Sequence, residues 1–122
     1  VLGDVSFLYD SNALFNNHIP GNLKIIVINN GGGDIFRILD TKGLIHKVEE
    51  YFTTPVTADI AALCQAYGIN YFHCDTKKSI ARSMKNLYKE PKTALLEITT
   101  SDVNNAKLLQ DYLTKLKETS YE

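Results

Sequence analysis

The stretch LKIIVINNGGG, residues 23 to 33, joins the most apolar run of the chain to a loop of two asparagines and three glycines. The β-branched run from 23 to 29 is typical of a strand buried on both faces, as in a parallel sheet. Asn and Gly disfavour strands, and three consecutive glycines lose much backbone entropy on folding. Glycine also lets the backbone approach another group closely. These properties make the loop a candidate binding site.

Strand and helix patterns alternate through the rest of the chain. Further strands are predicted at INYFHC (69–74) and TALLEIT (93–99), and helices at DSNALFNN (10–17), TADIAALCQAYG, KKSIARSMKNLYKE and the segment after Ser101, a good N-cap. Residues 39 to 56 are the least regular, with room for a short helix at 46 to 52. The apolar stripes of the helices, with their aromatic residues, are expected to be core. We predict an α/β fold, a mainly parallel sheet with helices on both faces.

Composition narrows the range of functions. The chain of 122 residues fits one domain, with 44% hydrophobic and 22% charged residues. A net charge of −1, from 13 basic and 14 acidic residues, provides no field for nucleic acid or anionic lipid. No apolar run approaches the roughly 20 residues of a membrane span, and no signal peptide opens the chain, so a cytoplasmic protein is expected. Cys64 and Cys74 lack partners for zinc or redox chemistry and are expected to be buried, reduced thiols.

Two loops of unusual composition each follow a predicted strand. GDVS (3–6) offers a carboxylate, a hydroxyl and backbone N–H groups, and NNGGGD (29–34) offers amide oxygens and accessible carbonyls. In an open parallel sheet, ligands bind at the carboxyl ends of the strands. Mg²⁺ prefers oxygen ligands, usually one or two carboxylates completed by phosphate oxygens and water. The two loops together predict a site for a metal-bound diphosphate, although either alone is also an ordinary turn.

These loops resemble the motif of thiamine diphosphate-dependent enzymes, which is Gly-Asp-Gly followed at a distance by Asn-Asn. Here Gly3-Asp4-Val5 is followed by 23 residues (6 to 28) and then Asn29-Asn30. GDVSFLYDSNAL and IIVINNGGGDIF look most like the cofactor-binding domain of one branch, the menaquinone-pathway 2-succinyl-5-enolpyruvyl-6-hydroxy-3-cyclohexene-1-carboxylate synthases. Val5 replaces the third glycine of the general motif, and that branch also tends to have an apolar residue there.

The resemblance implies a role for individual residues. Asp4, the side chain of Asn30 and the carbonyl of Gly32 match the Mg²⁺ ligands, and Val5 and Ser6 match positions that meet the diphosphate. Ile35, Phe36 and Leu39 match apolar residues that shape the substrate pocket, the first two also beside the cofactor. The implied cofactors are thiamine diphosphate and Mg²⁺. No catalytic residue is assigned to this chain, and Arg37 and the three histidines are left without a role.

The resemblance also implies partners that the chain does not supply. The opening VLGD looks like the tail of a strand, so residues 1 to 122 are expected to be part of a cofactor-binding domain, truncated at its N-terminal side. The activating glutamate would come from a pyrimidine-binding domain, usually of a neighbouring chain in a homodimer or larger assembly. The implied reaction decarboxylates 2-oxoglutarate and adds the product to isochorismate, and we expect the 122 residues alone to be inactive. The alternatives are another carboligase or decarboxylase, such as an acetolactate-synthase-like enzyme, and a non-catalytic interaction domain.

Overall fold

The structure, a computed structural model, describes residues 1–33, 54–100 and 105–119. Its elements in chain order are β1 (Leu2–Gly3), α1 (Asp4–Asp10), a 3₁₀ helix (Ser11–Phe15), β2 (Lys24–Asn29), α2 (Ile60–Ala66), β3 (Asn70–Cys74), α3 (Lys77–Lys89), β4 (Ala94–Thr99) and α4 (Asn105–Thr119). The three predicted strands and three of the predicted helices, at α2, α3 and α4, are confirmed. The short helix considered at 46 to 52 lies outside the described residues, as does Ser101.

The four strands form one parallel sheet in the order β1-β2-β4-β3. The central pair is β2 and β4, joined from Lys24 opposite Ala94 to Asn29 opposite Thr99. Because every strand runs in the same direction, the loops after β1 and β2 reach the same edge of the sheet. The predicted parallel sheet is confirmed.

Two apolar clusters cover the two faces of this sheet. On one face, Val27 and Leu95 pack with Phe7 of α1 and with Ile60 and Cys64 of α2. On the other, strand residues that include Ile26, Leu96 and Cys74 pack against α3 through Leu87, with Ile80 and Met84 at its margin. Adjacent residues of β2 therefore serve opposite faces, as a strand buried on both sides requires. Helices on both faces are confirmed, and both cysteines are free and buried, as expected.

The first helix lies earlier in the chain than predicted. The α-helix begins at Asp4, directly after Gly3, and ends at Asp10, where the predicted helix of residues 10 to 17 was to begin. Residues 11 to 15 form a 3₁₀ helix instead, and the hydroxyl of Ser11 donates to the carbonyl of Leu8 at 3.0 Å. A serine bonded back to the preceding turn favours a tighter helix end. Burial of Phe7 against the sheet fixes the α-helix upstream.

The last helix corrects a prediction about the core. The segment after residue 104 is helical, but the side chains of its expected stripe are exposed: Leu109, Tyr112, Leu113 and Leu116. Tyr88, an aromatic residue of the predicted helix KKSIARSMKNLYKE and so expected to be core, is also 63% exposed. Periodicity identifies which residues share a face of a helix, whereas burial requires another element against that face.

Candidate cofactor-binding site

The two predicted loops meet at the carboxyl edge of the sheet. Gly3, the last residue of β1, lies opposite Ile28 of β2, so Asp4 follows its strand beside the point where Asn29 ends the neighbouring one. Parallel pairing alone brings these two ends together, although 27 positions of sequence separate Asp4 from Gly31.

The carboxylate of Asp4 is the centre of this contact. Asp4 is only 2% exposed, and its Oδ2 accepts hydrogen bonds from the backbone N–H groups of Gly31 and Gly32, both at 2.9 Å. Its Oδ1 accepts from the N–H of Val5 at 2.7 Å. A buried carboxylate is costly unless it is hydrogen-bonded, and backbone donors meet that need here. They also fix the orientation of the side chain.

The glycines of the second loop have conformations that other residues disfavour. Gly31 has φ +82° and Gly32 has φ +147°, both in the region where a Cβ atom is strained. This backbone path turns two successive N–H groups towards Asp4. The carbonyl of Gly31 in turn accepts from the N–H of Val56 at 3.1 Å, which attaches the loop to the segment ahead of α2. The glycines are therefore required by the shape of the loop.

The structure places the remaining predicted site residues as follows. Asn30 is half-buried between the end of β2 and Gly31. Val5 and Ser6 are in the first turn of α1, with Val5 half-buried and Ser6 exposed. The N–H of Val5, matched to the diphosphate, here donates to Asp4. Ile35, Phe36, Leu39 and Arg37 lie outside the described residues.

A polar cluster beside this loop was not identified from the sequence. Glu97 of β4 is 8% exposed, and its Oε1 accepts from Nδ2 of Asn29 at 2.6 Å. Its Oε2 accepts from the hydroxyl of Tyr71 on β3, also at 2.6 Å. The Oδ1 of Asn29 then accepts from the N–H of Gly31 at 3.0 Å. The one sequence signal was an acidic residue inside the apolar strand TALLEIT.

Burial changes the acid–base behaviour of two groups near this cluster. It raises the pKa of the Tyr71 phenol well above its ordinary value, and the hydrogen bond to Glu97 adds to the effect. Burial also raises the pKa of the Cys64 thiol to about 11, with a smaller contribution from the charge of Glu97. Both groups stay protonated at neutral pH, so Tyr71 remains a hydrogen-bond donor to the carboxylate.

One cavity lies away from this edge. It measures about 470 Å³ and is lined by residues of the opposite, amino edge of the sheet, among them Gly68, Ile69 and Thr93. A smaller cavity of about 210 Å³ lies beside Val5, between α1 and residues 54 to 58. Because ligands of open parallel sheets gather at the carboxyl edge, the loops around Asp4 are the better candidate site.

The described residues contain no group of three or more His, Cys, Asp or Glu side chains arranged for a metal ion. A site at Asp4 would therefore combine one carboxylate with neutral oxygen ligands. None of the helices in the described ranges has the length and apolar character of a membrane span.

A parallel α/β sheet with an aspartate and an Asn-Asn-Gly-Gly loop at its carboxyl edge defines a class of cofactor-binding domain. The family model described as "Thiamine pyrophosphate enzyme, C-terminal TPP binding domain" matches residues 1–98, and the chain belongs to this family. The expected resemblance to thiamine diphosphate-dependent enzymes is confirmed.

Curated relatives narrow the similarity to one branch. The chain is 41% identical over 118 residues to the 2-succinyl-5-enolpyruvyl-6-hydroxy-3-cyclohexene-1-carboxylate synthase of Christiangramia forsetii, covering 96% of this chain and 20% of that protein. It is 40% identical over 117 residues to the synthase of that name from Flavobacterium johnsoniae, covering 95% and 21%. The Bacteroides thetaiotaomicron synthase is 34% identical over 125 residues, covering 97% and 22%. The chain thus spans about a fifth of the length of these relatives.

Proposed function

We propose that this chain is the thiamine diphosphate- and Mg²⁺-binding part of a synthase that decarboxylates 2-oxoglutarate and adds the succinyl-semialdehyde unit to isochorismate in menaquinone biosynthesis. The observation that supports it most is the meeting of Asp4 with the Gly31–Gly32 loop, in a chain of the thiamine pyrophosphate enzyme family. The names of the relatives support the choice of substrates.

The donor set around Asp4 suits a hard cation. An ionised carboxylate has about four acceptor positions, and the described residues occupy one on Oδ1 and two on Oδ2. Oδ1 therefore keeps capacity for a metal ion while Oδ2 holds the loop. Asn30 and Gly32, on that same loop, would add an amide and a carbonyl oxygen. One charged ligand and two neutral ones match the preference of Mg²⁺ for a partial protein shell completed by phosphate and water.

The chain's own residues would bind and orient the cofactor. Asp4, Asn30 and Gly32 would hold Mg²⁺, Val5 and Ser6 would lie against the diphosphate, and Ile35, Phe36 and Leu39 would form apolar walls of the reaction pocket. Thiamine diphosphate itself supplies the electron sink for decarboxylation. The activating glutamate would come from a pyrimidine-binding domain of a neighbouring subunit, so we expect no turnover from the 122 residues alone.

The metal site is tested by Asp4→Asn in the full-length protein. Asparagine keeps one acceptor oxygen for the N–H groups of Gly31 and Gly32, so the loop stays attached, but it loses the hydrogen bond from Val5 and removes the negative charge. We expect Mg²⁺-dependent binding of thiamine diphosphate, measured by calorimetry, to weaken by at least about 100-fold, because even outer-shell partners of a metal cost roughly 10- to 100-fold. Asp10→Asn is the matched control, since Asp10 ends the same helix with an exposed carboxylate. Equal affinities of the two variants would refute the site.

The substrates are tested separately. The full-length protein, supplied with Mg²⁺ and thiamine diphosphate, is offered 2-oxoglutarate with isochorismate, and pyruvate in parallel. Carboligation of the first pair supports the proposal. Condensation of two pyruvate molecules would instead assign the protein to an acetolactate-synthase-like activity with the same metal loops.

A further inference from the structure

Glu97 is a buried carboxylate for which the proposed function has no use. It lies in β4 after three fully buried apolar residues, Ala94, Leu95 and Leu96. A well-packed apolar side chain at such a position is often as stabilising as a buried charge or more so. Glu97 shares its face of the sheet with Asn29 and Tyr71, and each of its oxygens accepts one short hydrogen bond from these neutral donors.

The amide of Asn29 connects Glu97 to the glycine loop. A carboxylate can only accept and a backbone N–H can only donate, so the amide has one orientation that satisfies both neighbours. Its Nδ2 faces Glu97 at 2.6 Å and its Oδ1 faces the N–H of Gly31 at 3.0 Å. Rotation of the amide by half a turn would set donor against donor and acceptor against acceptor. Glu97 therefore fixes which atom Asn29 presents to the loop.

The connection ends at the proposed metal ligand. The N–H of Gly31 is shared between Oδ1 of Asn29 and Oδ2 of Asp4, at 3.0 and 2.9 Å. A sequence of hydrogen bonds therefore runs from Tyr71 on β3 through Glu97 on β4 and Asn29 on β2 to Asp4 after β1. It crosses the whole sheet in strand order. The backbone of Gly31, at φ +82°, is held from two sides.

We propose that Glu97 and Asn29 are positioning residues that lock the Gly31–Gly32 loop in its cofactor-binding conformation. This inference depends on the proposed function, since the loop would carry the Asn30 and Gly32 ligands. The lock orders the loop before the cofactor arrives. Binding then does not have to supply the conformational entropy of fixing these residues.

The lock is tested in the full-length protein by exchanging the amide of Asn29 with the carboxylate of Glu97. Asn29→Asp sets two carboxylates against each other and removes the donor to Glu97. We expect the affinity for thiamine diphosphate with Mg²⁺, measured by calorimetry at about pH 8, to fall roughly 10- to 100-fold, as for other outer-shell partners of metal sites. The double variant Asn29→Asp/Glu97→Gln restores one amide and one carboxylate in reversed positions, with the original net charge. We expect its affinity to return to within about threefold of the parent, because every donor again meets an acceptor.

Two single variants separate positioning from stability. Glu97→Gln can still accept from Asn29 while its amide donates to the hydroxyl of Tyr71, but it can also turn its donor towards Asn29, so we expect a smaller loss of affinity than in Asn29→Asp. Tyr71→Phe removes the other donor to Glu97 and leaves the bond to Asn29 intact. We expect it to lower the thermal midpoint of the cofactor-free protein without changing affinity.

Each outcome bears on the inference. The inference is wrong if Asn29→Asp leaves the affinity for thiamine diphosphate unchanged, or if the double variant does not regain it. A variant that lowers only the thermal midpoint would indicate a purely structural cluster. If Asn29→Asp does not fold, Glu97→Leu is measured instead, with unchanged affinity again the contrary result. Asp4→Asn distinguishes this failure from failure of the proposed function: if Asp4→Asn loses binding and Asn29→Asp does not, only the lock is wrong.

Discussion

Replacing Gly31 by alanine should weaken cofactor binding through backbone strain alone. An ideal Cβ at Gly31 has no heavy atom within 4 Å, so alanine meets no steric clash. The cost comes from φ +82°, which an L-residue adopts at a penalty of about 1–2 kcal/mol. Gly31 is exposed, so the substituted loop can relieve the strain by moving its N–H groups off Asp4. Binding must then restore the strained path, which corresponds to a roughly 5- to 30-fold weaker Kd.

Gly68→Ala is a matched control for this effect. Gly68 has φ +69°, an ideal Cβ there also meets open space, and it lies at the amino edge of the sheet, away from Asp4. In denaturant unfolding of the full-length protein, Gly68→Ala should lose about 1–2 kcal/mol of stability, and Gly31→Ala should lose less because its loop relieves the strain before the cofactor binds. Only Gly31→Ala should raise the Kd for thiamine diphosphate with Mg²⁺ in calorimetry. Equal Kd values for the two variants would refute the link between this glycine conformation and binding.

Two further predictions concern the core. The pKa of the Cys64 thiol rises from 9.0 to about 11 on folding, so the unfolded state loses this proton at a lower pH than the folded state. The contribution of the protonated thiol to the free energy of unfolding is therefore complete below about pH 9 and is lost as pH rises towards 11. A shift of one pKa unit corresponds to about 1.4 kcal/mol, so this contribution amounts to about 3 kcal/mol. Denaturant titrations at pH 8 and about pH 10.5 should therefore show a smaller loss of unfolding free energy at the higher pH in Cys64→Ala than in the parent. Leu87→Ala, at a position with 0% exposure, should cost about 2–5 kcal/mol of unfolding free energy, whereas Leu108→Ala, at 64% exposure, should change it by less than about 0.5 kcal/mol. Equal effects of the two leucine variants would contradict the packing of α3 on the sheet.

The strands could be predicted because burial on both faces leaves a strong trace in the sequence. Ile26 packs in the cluster on one face of the sheet, and its neighbour Val27 packs in the cluster on the other face. Both must be apolar, so the apolar run in the sequence is continuous. The helices α2 and α3 could be predicted for a related reason, since one apolar stripe packs against one face of the sheet. In α2, Asp59 also caps the helix by accepting from the N–H of Ala62 at 3.0 Å.

The errors arose where tertiary contacts decide the outcome. Nothing local distinguishes a helix at Asp4 from one at Asp10; the burial of Phe7 against the sheet does so. The stripe of α4 is periodic, yet Leu109, Tyr112 and Leu113 are exposed. A pattern of spacing contains no information on which surface, if any, faces it.

The candidate site also has one part that the sequence predicts and another part that it does not. Asp4 and the glycine loop could be predicted as a candidate site because their residue types are unusual at strand ends and match a family motif. The cluster of Tyr71, Glu97 and Asn29 could not be predicted, because its members come from three strands whose order in space differs from their order in the chain. Glu97 lies opposite Val27 and His73 in the register of the sheet, and only that register brings Asn29 and Tyr71 within reach of it.

The way Asp4 is held has a consequence for the charge of the site. Among the described residues, its hydrogen-bond partners are backbone N–H groups of Val5, Gly31 and Gly32. A lysine or arginine could orient the carboxylate equally well, but its positive charge would offset that of Asp4 and repel an incoming Mg²⁺. Neutral amide donors orient the carboxylate and leave its negative charge for the proposed Mg²⁺. Because Gly31 and Gly32 have no side chains that could crowd the approach, the glycine loop orients the carboxylate and leaves access to it, while Asp4 supplies the charge.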